Sequence, residues 1–209
     1  MNCRAVVGIL AVVVGLASAD CTDDQYATVT ACYRTFISAY GFDVTQKVNM
    51  LPEYWAFHDA RTAWFSRGLE RQPEVRKIGQ ALSTCVQPNE NCVDAKFFAG
   101  LNQNSSDVAN YLSDYAVTAY QSTDRGYALL LRHHYCMISC ADSPLLTACA
   151  NAFVAPLDNG KCNANLQCIH DAYMQCCGPE AAEFQCAVQR ADNKISFKEC
   201  DNMNNCIPA

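Results

Sequence analysis

Lysine, histidine and long apolar runs are what this sequence has least of. Six Lys and four His occur in 209 residues, and acidic groups outnumber basic ones for a net charge of −6. That balance argues against nucleic-acid binding, which needs a basic surface against phosphate, and against an electrostatic anchor on anionic membranes. With Gly 9 and Pro 7 the chain is neither collagen-like nor a Pro-rich linker. Charged residues are 17% against 51% hydrophobic, which excludes intrinsic disorder as the main state. No CxxC pair, GxSxG, HExxH, P-loop or dinucleotide fingerprint occurs, so the common sequence marks of zinc, acyl-transfer and nucleotide chemistry are missing. Past the first residues, no apolar run approaches the roughly 18–20 residues of a membrane-spanning helix.

What is abundant is cysteine. Residues 1–19 carry a basic start at Arg4, an apolar run from Ala5 to Leu16 and the small-x-small sequence Ala17-Ser18-Ala19. This is the order of parts in a secretory signal peptide, and it predicts a secreted, extracellular chain. Cys3 and Arg4 leave with the leader, which makes the charge −7. The remaining cysteines are Cys21, Cys32, Cys85, Cys92, Cys136, Cys140, Cys149, Cys162, Cys168, Cys176, Cys177, Cys186, Cys200 and Cys206. An even set in an oxidising compartment predicts disulfides throughout, with no thiol left for catalysis and no metal site. Asn104-Ser105-Ser106 is the single N-glycosylation sequon, in a polar stretch expected to be an exposed loop.

The mature chain reads as all-α, a disulfide-rich helical bundle. Thr22 and Gln25 form a capping-box pattern ahead of Tyr26, Val29, Cys32, Tyr33, Phe36, Ile37 and Tyr40 at helical spacing, with Gly41 as the stop. Pro52 opens a second helix whose apolar face is expected to carry Leu51, Trp55, Ala56, Ala63 and Trp64, with Gly68 closing it. Pro73 starts a third, Ser105 or Ser106 caps a fourth, and a fifth runs from about Arg125 to Cys140. Ser143-Pro144 starts a sixth, Asn163 to Cys177 is a seventh stopped by Gly178-Pro179, and Pro179-Glu180 begins an eighth. No window alternates with the period of two that a strand requires.

Four short matches recur in the same order in both halves, which suggests an internal duplication. Cys21-Thr-Asp resembles Cys140-Ala-Asp, and Thr30-Ala31-Cys32-x-x-x-Phe36-Ile37 resembles Thr147-Ala148-Cys149-x-x-x-Phe153-Val154. His58-Asp59-Ala60 matches His170-Asp171-Ala172. Thr84-Cys85 leading to Asn91-Cys92 matches Glu199-Cys200 leading to Asn205-Cys206. The organisation expected is a signal peptide over 1–19, a helical repeat over 20–95, a helical insert over 96–135 packed on the first repeat, and a second repeat over 136–209. Within each repeat the first two cysteines are expected to staple to the last two. Each such bridge contributes about 3–5 kcal/mol in the chain-entropy model. Vicinal Cys176 and Cys177 are expected to reach different partners.

Two constellations invite a chemical reading. Cys168-Ile-His170-Asp171-Ala-Tyr173 resembles the active-site helix of secreted phospholipases A2, in which a His activates water, the adjacent Asp ligates calcium, and Cys and Tyr brace the helix. The resemblance implies a calcium-dependent hydrolase using His170 and Asp171. Here a single Cys stands two residues before the His, where that family has CCxxHDxC, and the Gly-rich calcium loop is missing. Two intervals, Cys136-x3-Cys140 and Cys140-x8-Cys149, are similar to those of helical odorant-carrier proteins, although they share Cys140 and the other spacings do not fit. Adjacent His133 and His134 point to different sides of a helix and do not chelate one metal, and Glu180 and Glu183 suit a helix first turn.

Aromatic residues crowd the first half. Tyr54, Trp55, Trp64 and Phe65, together with Phe57, wrap more than one helix face, so some should meet solvent or line a cavity. The expectation is a secreted, monomeric, non-enzymatic protein that uses no cofactor and binds an extracellular protein partner through those four residues. The alternative is a carrier of a small hydrophobic ligand held among Trp55, Trp64, Phe65 and the insert. The second alternative is the phospholipase-like hydrolase.

Overall fold

Thr22 opens the first helix as its capping pattern predicts. In the computed structural model its hydroxyl accepts from the Gln25 N–H and the Gln25 side chain accepts from the Thr22 N–H at 2.9 Å. The structure describes residues 21–44, 51–65, 68–101 and 103–204, with only the backbone of Phe65, Ile195, Ser196 and Lys198. The leader over 1–19 and Cys206 lie outside the described residues. The described chain is all-helical and contains no strand: α1 (Asp23–Ala39), α2 (Tyr54–Phe65), α3 (Gln72–Val86), α4 (Ala95–Gly100), α5 (Ser105–Ser122), α6 (Asp124–Ala141), α7 (Pro144–Ala152), α8 (Asn159–Cys177) and α9 (Pro179–Ser196), with three short 3-10 turns between or after them. None of these helices is long and apolar enough to cross a membrane.

An aromatic core fills the first half. α1 buries Val29, Cys32, Tyr33, Phe36 and Ile37, one stripe at 3.6-residue spacing. Opposite it stand Phe97 and Phe98 of α4, a helix too short for periodicity to reveal, capped by Asp94 accepting from the Phe97 N–H at 2.7 Å. Phe98 meets Tyr33 edge-on with centroids at 5.1 Å and stacks on Tyr111 of α5 at 5.4 Å. Such ring pairs add about 0.5–1.5 kcal/mol beyond the area they bury.

α2 does not present the face expected of it. It buries Tyr54, Phe57 and Arg61, while Trp55, Ala56 and Ala63 face outward. Apolar residues stand all round it and the buried stripe includes the charged Arg61, so periodicity alone leaves that stripe undetermined. The cap of α5 also differs: Asn104 supplies it, its Oδ1 accepting from the Asp107 N–H at 2.9 Å, one residue before the expected Ser105 or Ser106.

A second core joins Leu129, Leu130 and Met137 of α6 to Tyr173 of α8 and Ala181, Ala182 and Phe184 of α9. The helical pair expected to pack on the first half spans both. α5 sends Tyr111 and Tyr115 into the first core, and its Tyr120 meets Phe184 in the second. α6 lies against α8 and α9.

Disulfides staple each half separately. Cys21 pairs with Cys92 and Cys32 with Cys85, the first-with-last pattern expected of the first repeat. The second half departs from that pattern: Cys140 pairs with Cys176, Cys149 with Cys168 and Cys162 with Cys200. The reason is geometric. α8 runs alongside both α6 and α7, so its own cysteines reach Cys140 and Cys149, while Cys200 is taken by Cys162. Cys136 takes Cys177, so the vicinal pair reaches two different partners on α6. Cys186 is disulfide-bonded as well.

Candidate functional site

The four aromatic residues expected to share one surface are dispersed. Tyr54 is 8% exposed, packs edge-on against Tyr111 at 5.2 Å, and belongs to the core. Trp55, its neighbour, is 54% exposed, with the rings of His58 and Tyr54 against its own. Trp64 is partly buried between the edge of Tyr40 and the Arg71 guanidinium, 5.4 Å from its ring. The Phe65 side chain lies outside the described residues. None of the cavities described below is lined by these residues.

His170 occupies a structural position on α8. It is 2% exposed, and its Nδ1 lies 3.0 Å from the Asp171 carboxylate, which Gln167 also contacts at 2.8 Å. The bond from His170 holds the Asp171 carboxyl below its ordinary value. The ring lines none of the described cavities. The matching pair in the first half, His58 and Asp59, makes the same contact at 3.5 Å on an exposed surface.

Glu180 and Glu183 do more than favour a helix dipole. Arg132 forks onto both Glu180 oxygens, His133 reaches Glu180 at 3.0 Å, and Arg125 pairs with both oxygens of Glu183, which clasps α6 to α9. These partners, the Arg132 bonds first, pull the Glu180 carboxyl below its ordinary value. His134 turns the other way into the protein, where burial lowers its pKa. The sulfurs of Cys136, Cys176 and Cys177 lie within 4.8 Å of one another, but each is in a disulfide and offers no thiolate to a metal.

A larger cavity among the described residues lies in the second half, beside the His170 segment but not around that ring. It has a volume of about 490 Å³. Leu146, Thr147, Ala150 and Phe153 of α7 and its C-terminal cap form one wall. Asn165, Ile169 and Tyr173, each four residues from the last, form a stripe of α8 opposite. Gln185 and Gln189 of α9 close the floor, and Ala141 of α6 the end. The Cys149–Cys168 bridge ties the short α7 to α8 and holds the walls together. A smaller cavity of about 90 Å³ adjoins it across Phe153 and Asn165, lined by that same bridge, Ala152 and Ala164.

A chain of amides supports the floor. Gln189 Nε2 donates to Asn193 Oδ1 at 2.8 Å and to Asp192 Oδ2 at 3.3 Å. Asn193, fully buried, donates from Nδ2 to Asn165 Oδ1 at 3.3 Å. The Ser113 hydroxyl of α5 donates to the other Asp192 oxygen. None of the side chains lining the larger cavity carries a charge. The available signal was polar: Asn165, Gln185, Gln189 and Asn193 stand on faces that also bury apolar residues.

Comparison of the chain with known protein families, curated proteins and solved structures returned no match.

Proposed function

We propose that this protein is a secreted, monomeric, non-enzymatic helical protein that binds a small, mainly apolar molecule in the cleft between α7, α8 and α9. The observation that carries this reading is the cleft itself. Its volume of about 490 Å³ falls within the roughly 300–1,000 Å³ of small-molecule sites, and its lining mixes apolar walls with a few convergent amides. Secretion rests on the leader sequence and on the density of disulfides, which persist in oxidising compartments. Asn104 suits a glycan: it is exposed and caps α5 through Oδ1, which leaves Nδ2 for the sugar. The descent of the two halves from one repeat rests on the four ordered sequence matches and on the His–Asp contact present in both.

A protein-binding role keeps one favourable observation, the half-exposed Trp55, and no continuous aromatic patch around it. The hydrolase reading keeps only the sequence resemblance around His170 and Asp171.

Native mass spectrometry of the secreted protein, followed by organic extraction, tests the carrier reading. We expect a stoichiometric apolar molecule, released on denaturation and distinct from any glycan at Asn104. Ala150→Trp, on the exposed rim of the cleft, is expected to abolish its retention without changing the melting temperature. A protein that carries no such mass, and that shows no saturable uptake of N-phenyl-1-naphthylamine, overturns the reading.

A further inference from the structure

We infer that the cleft selects a neutral ligand carrying a carbonyl oxygen, a ketone or ester on an apolar chain, and that Asn165 Nδ2 is the group that recognises it. The inference rests on the carrier reading and takes it one step further, from a cleft to the chemistry of its occupant.

The argument starts at Asp192. A carboxylate only accepts hydrogen bonds. Gln189, bonded to it, must therefore turn its Nε2 toward Asp192, and the same nitrogen spends its second hydrogen on Asn193 Oδ1. With its oxygen occupied, Asn193 presents Nδ2 to Asn165, and Asn165 must answer with Oδ1. The direction of each amide is thus set by one charge at the end of the relay and not by free choice at each residue. What remains at the far end is the Asn165 NH₂, a donor without a partner among the described residues. It belongs to a side chain on a residue only 7% exposed, on the wall shared by the large and small cavities. A donor that opens onto the cleft favours an acceptor oxygen from a ligand over an apolar surface, which would cover it unpaired.

The charge of that acceptor is also constrained. Among the described residues no cationic side chain lines the large cleft. Lys161, on the neighbouring small cavity, is engaged through Nζ with the carbonyls of Val154 at 3.2 Å and Pro156 at 2.6 Å. Asp192 stands behind the relay. A ligand carboxylate would enter this cleft without a counter-charge, whereas a carbonyl needs only the one donor. The apolar chain then lies along Leu146, Ile169 and Phe153.

Competition against bound N-phenyl-1-naphthylamine reads this directly, with three competitors of equal chain length: an alkyl methyl ketone, the n-alkane and the alkyl carboxylate, at neutral pH. We expect the ketone to bind about tenfold more tightly than either of the others, the effect of one hydrogen bond formed out of water. Asn165→Asp keeps the oxygen that Asn193 needs and replaces the donor by an acceptor. It should erase the ketone's advantage over the alkane. Asp192→Asn frees the relay to reverse and should reduce the same advantage, which keeps the test available if the Asn165 variant does not fold. A ketone no better than the alkane, or an advantage that survives both substitutions, overturns the inference while the carrier reading stands. A probe that does not bind a protein carrying no apolar mass of its own, or a bound probe that Ala150→Trp fails to exclude, overturns the carrier reading itself.

Discussion

Arg61 and Asp114 meet between α2 and α5 in a setting where neither charge has much water. Arg61 Nη1 donates to Asp114 Oδ1, with the two side chains 8% and 10% exposed. Burial pushes the Asp114 carboxyl up, and the guanidinium beside it opposes that shift. Burial likewise raises the hydroxyl pKa of Tyr33, Tyr40, Tyr54 and Tyr111 around the pair, so the tyrosines stay neutral beside it. A buried pair of this kind is weakly stabilising as a pair and costly when halved. Arg61→Met alone is therefore expected to cost about 3–5 kcal/mol in urea unfolding with disulfides intact. The double variant Arg61→Met/Asp114→Leu is expected to cost less than that single variant. Equality of the double variant with the sum of the two singles would show that the charges are not coupled.

At the scale of elements, the corner between α5 and α6 depends on one glycine. Gly126 sits in the first turn of α6, its N–H donating to the Thr123 cap at 3.0 Å. A Cβ there would run into the backbone carbonyl of Tyr120, which cannot swing aside as a side-chain end can. Alanine is otherwise the better helix residue by about 1 kcal/mol. Gly126→Ala is nonetheless expected to destabilise by about 1–3 kcal/mol through the forced shift of the corner. A neutral or stabilising result in thermal melts would show that α5 and α6 can separate at no cost. How far the elements were legible follows the same physics. α1, with a clear stripe and a capping box, and α3, with a clear stripe and Pro73 in its first turn, could be read from their residues. Pro144, Gly178 and Pro179 marked ends that the structure uses. α4 was missed because six residues hold less than two turns of pattern, although Asp94 three residues before Phe97 was a readable cap. α2 was rotated because its sequence is apolar nearly all round. The cleft was invisible because it arises from a short helix held off two longer ones, a relation between elements that no local pattern encodes, and its amides lie dispersed along α8 and α9.

At the scale of the whole molecule, covalent and non-covalent connections are partitioned. The described bridges of the first half close within 21–92, and those of the second close within 136–200. None of them joins the two halves. The halves are held by α5, which buries Tyr111 and Tyr115 in the first core, lies along α9, and bonds Asp192 through Ser113. This division predicts different outcomes for two backbone cuts. A protease site placed in the turn between α4 and α5, near Gln103, should give two fragments that remain together in native buffer, because α5 of the second fragment still fills the first core. In denaturant the same fragments should separate without any reductant. A site placed between α7 and α8, near Pro156, should give fragments that stay linked in denaturant, through Cys136–Cys177, Cys140–Cys176 and Cys149–Cys168, until reductant is added. Non-reducing gel electrophoresis of the two nicked proteins distinguishes these cases. A single band after the first cut would mean that a cystine crosses between the halves. In that event their docking would be a covalent constraint, and loss of the α5 contacts alone could not part them.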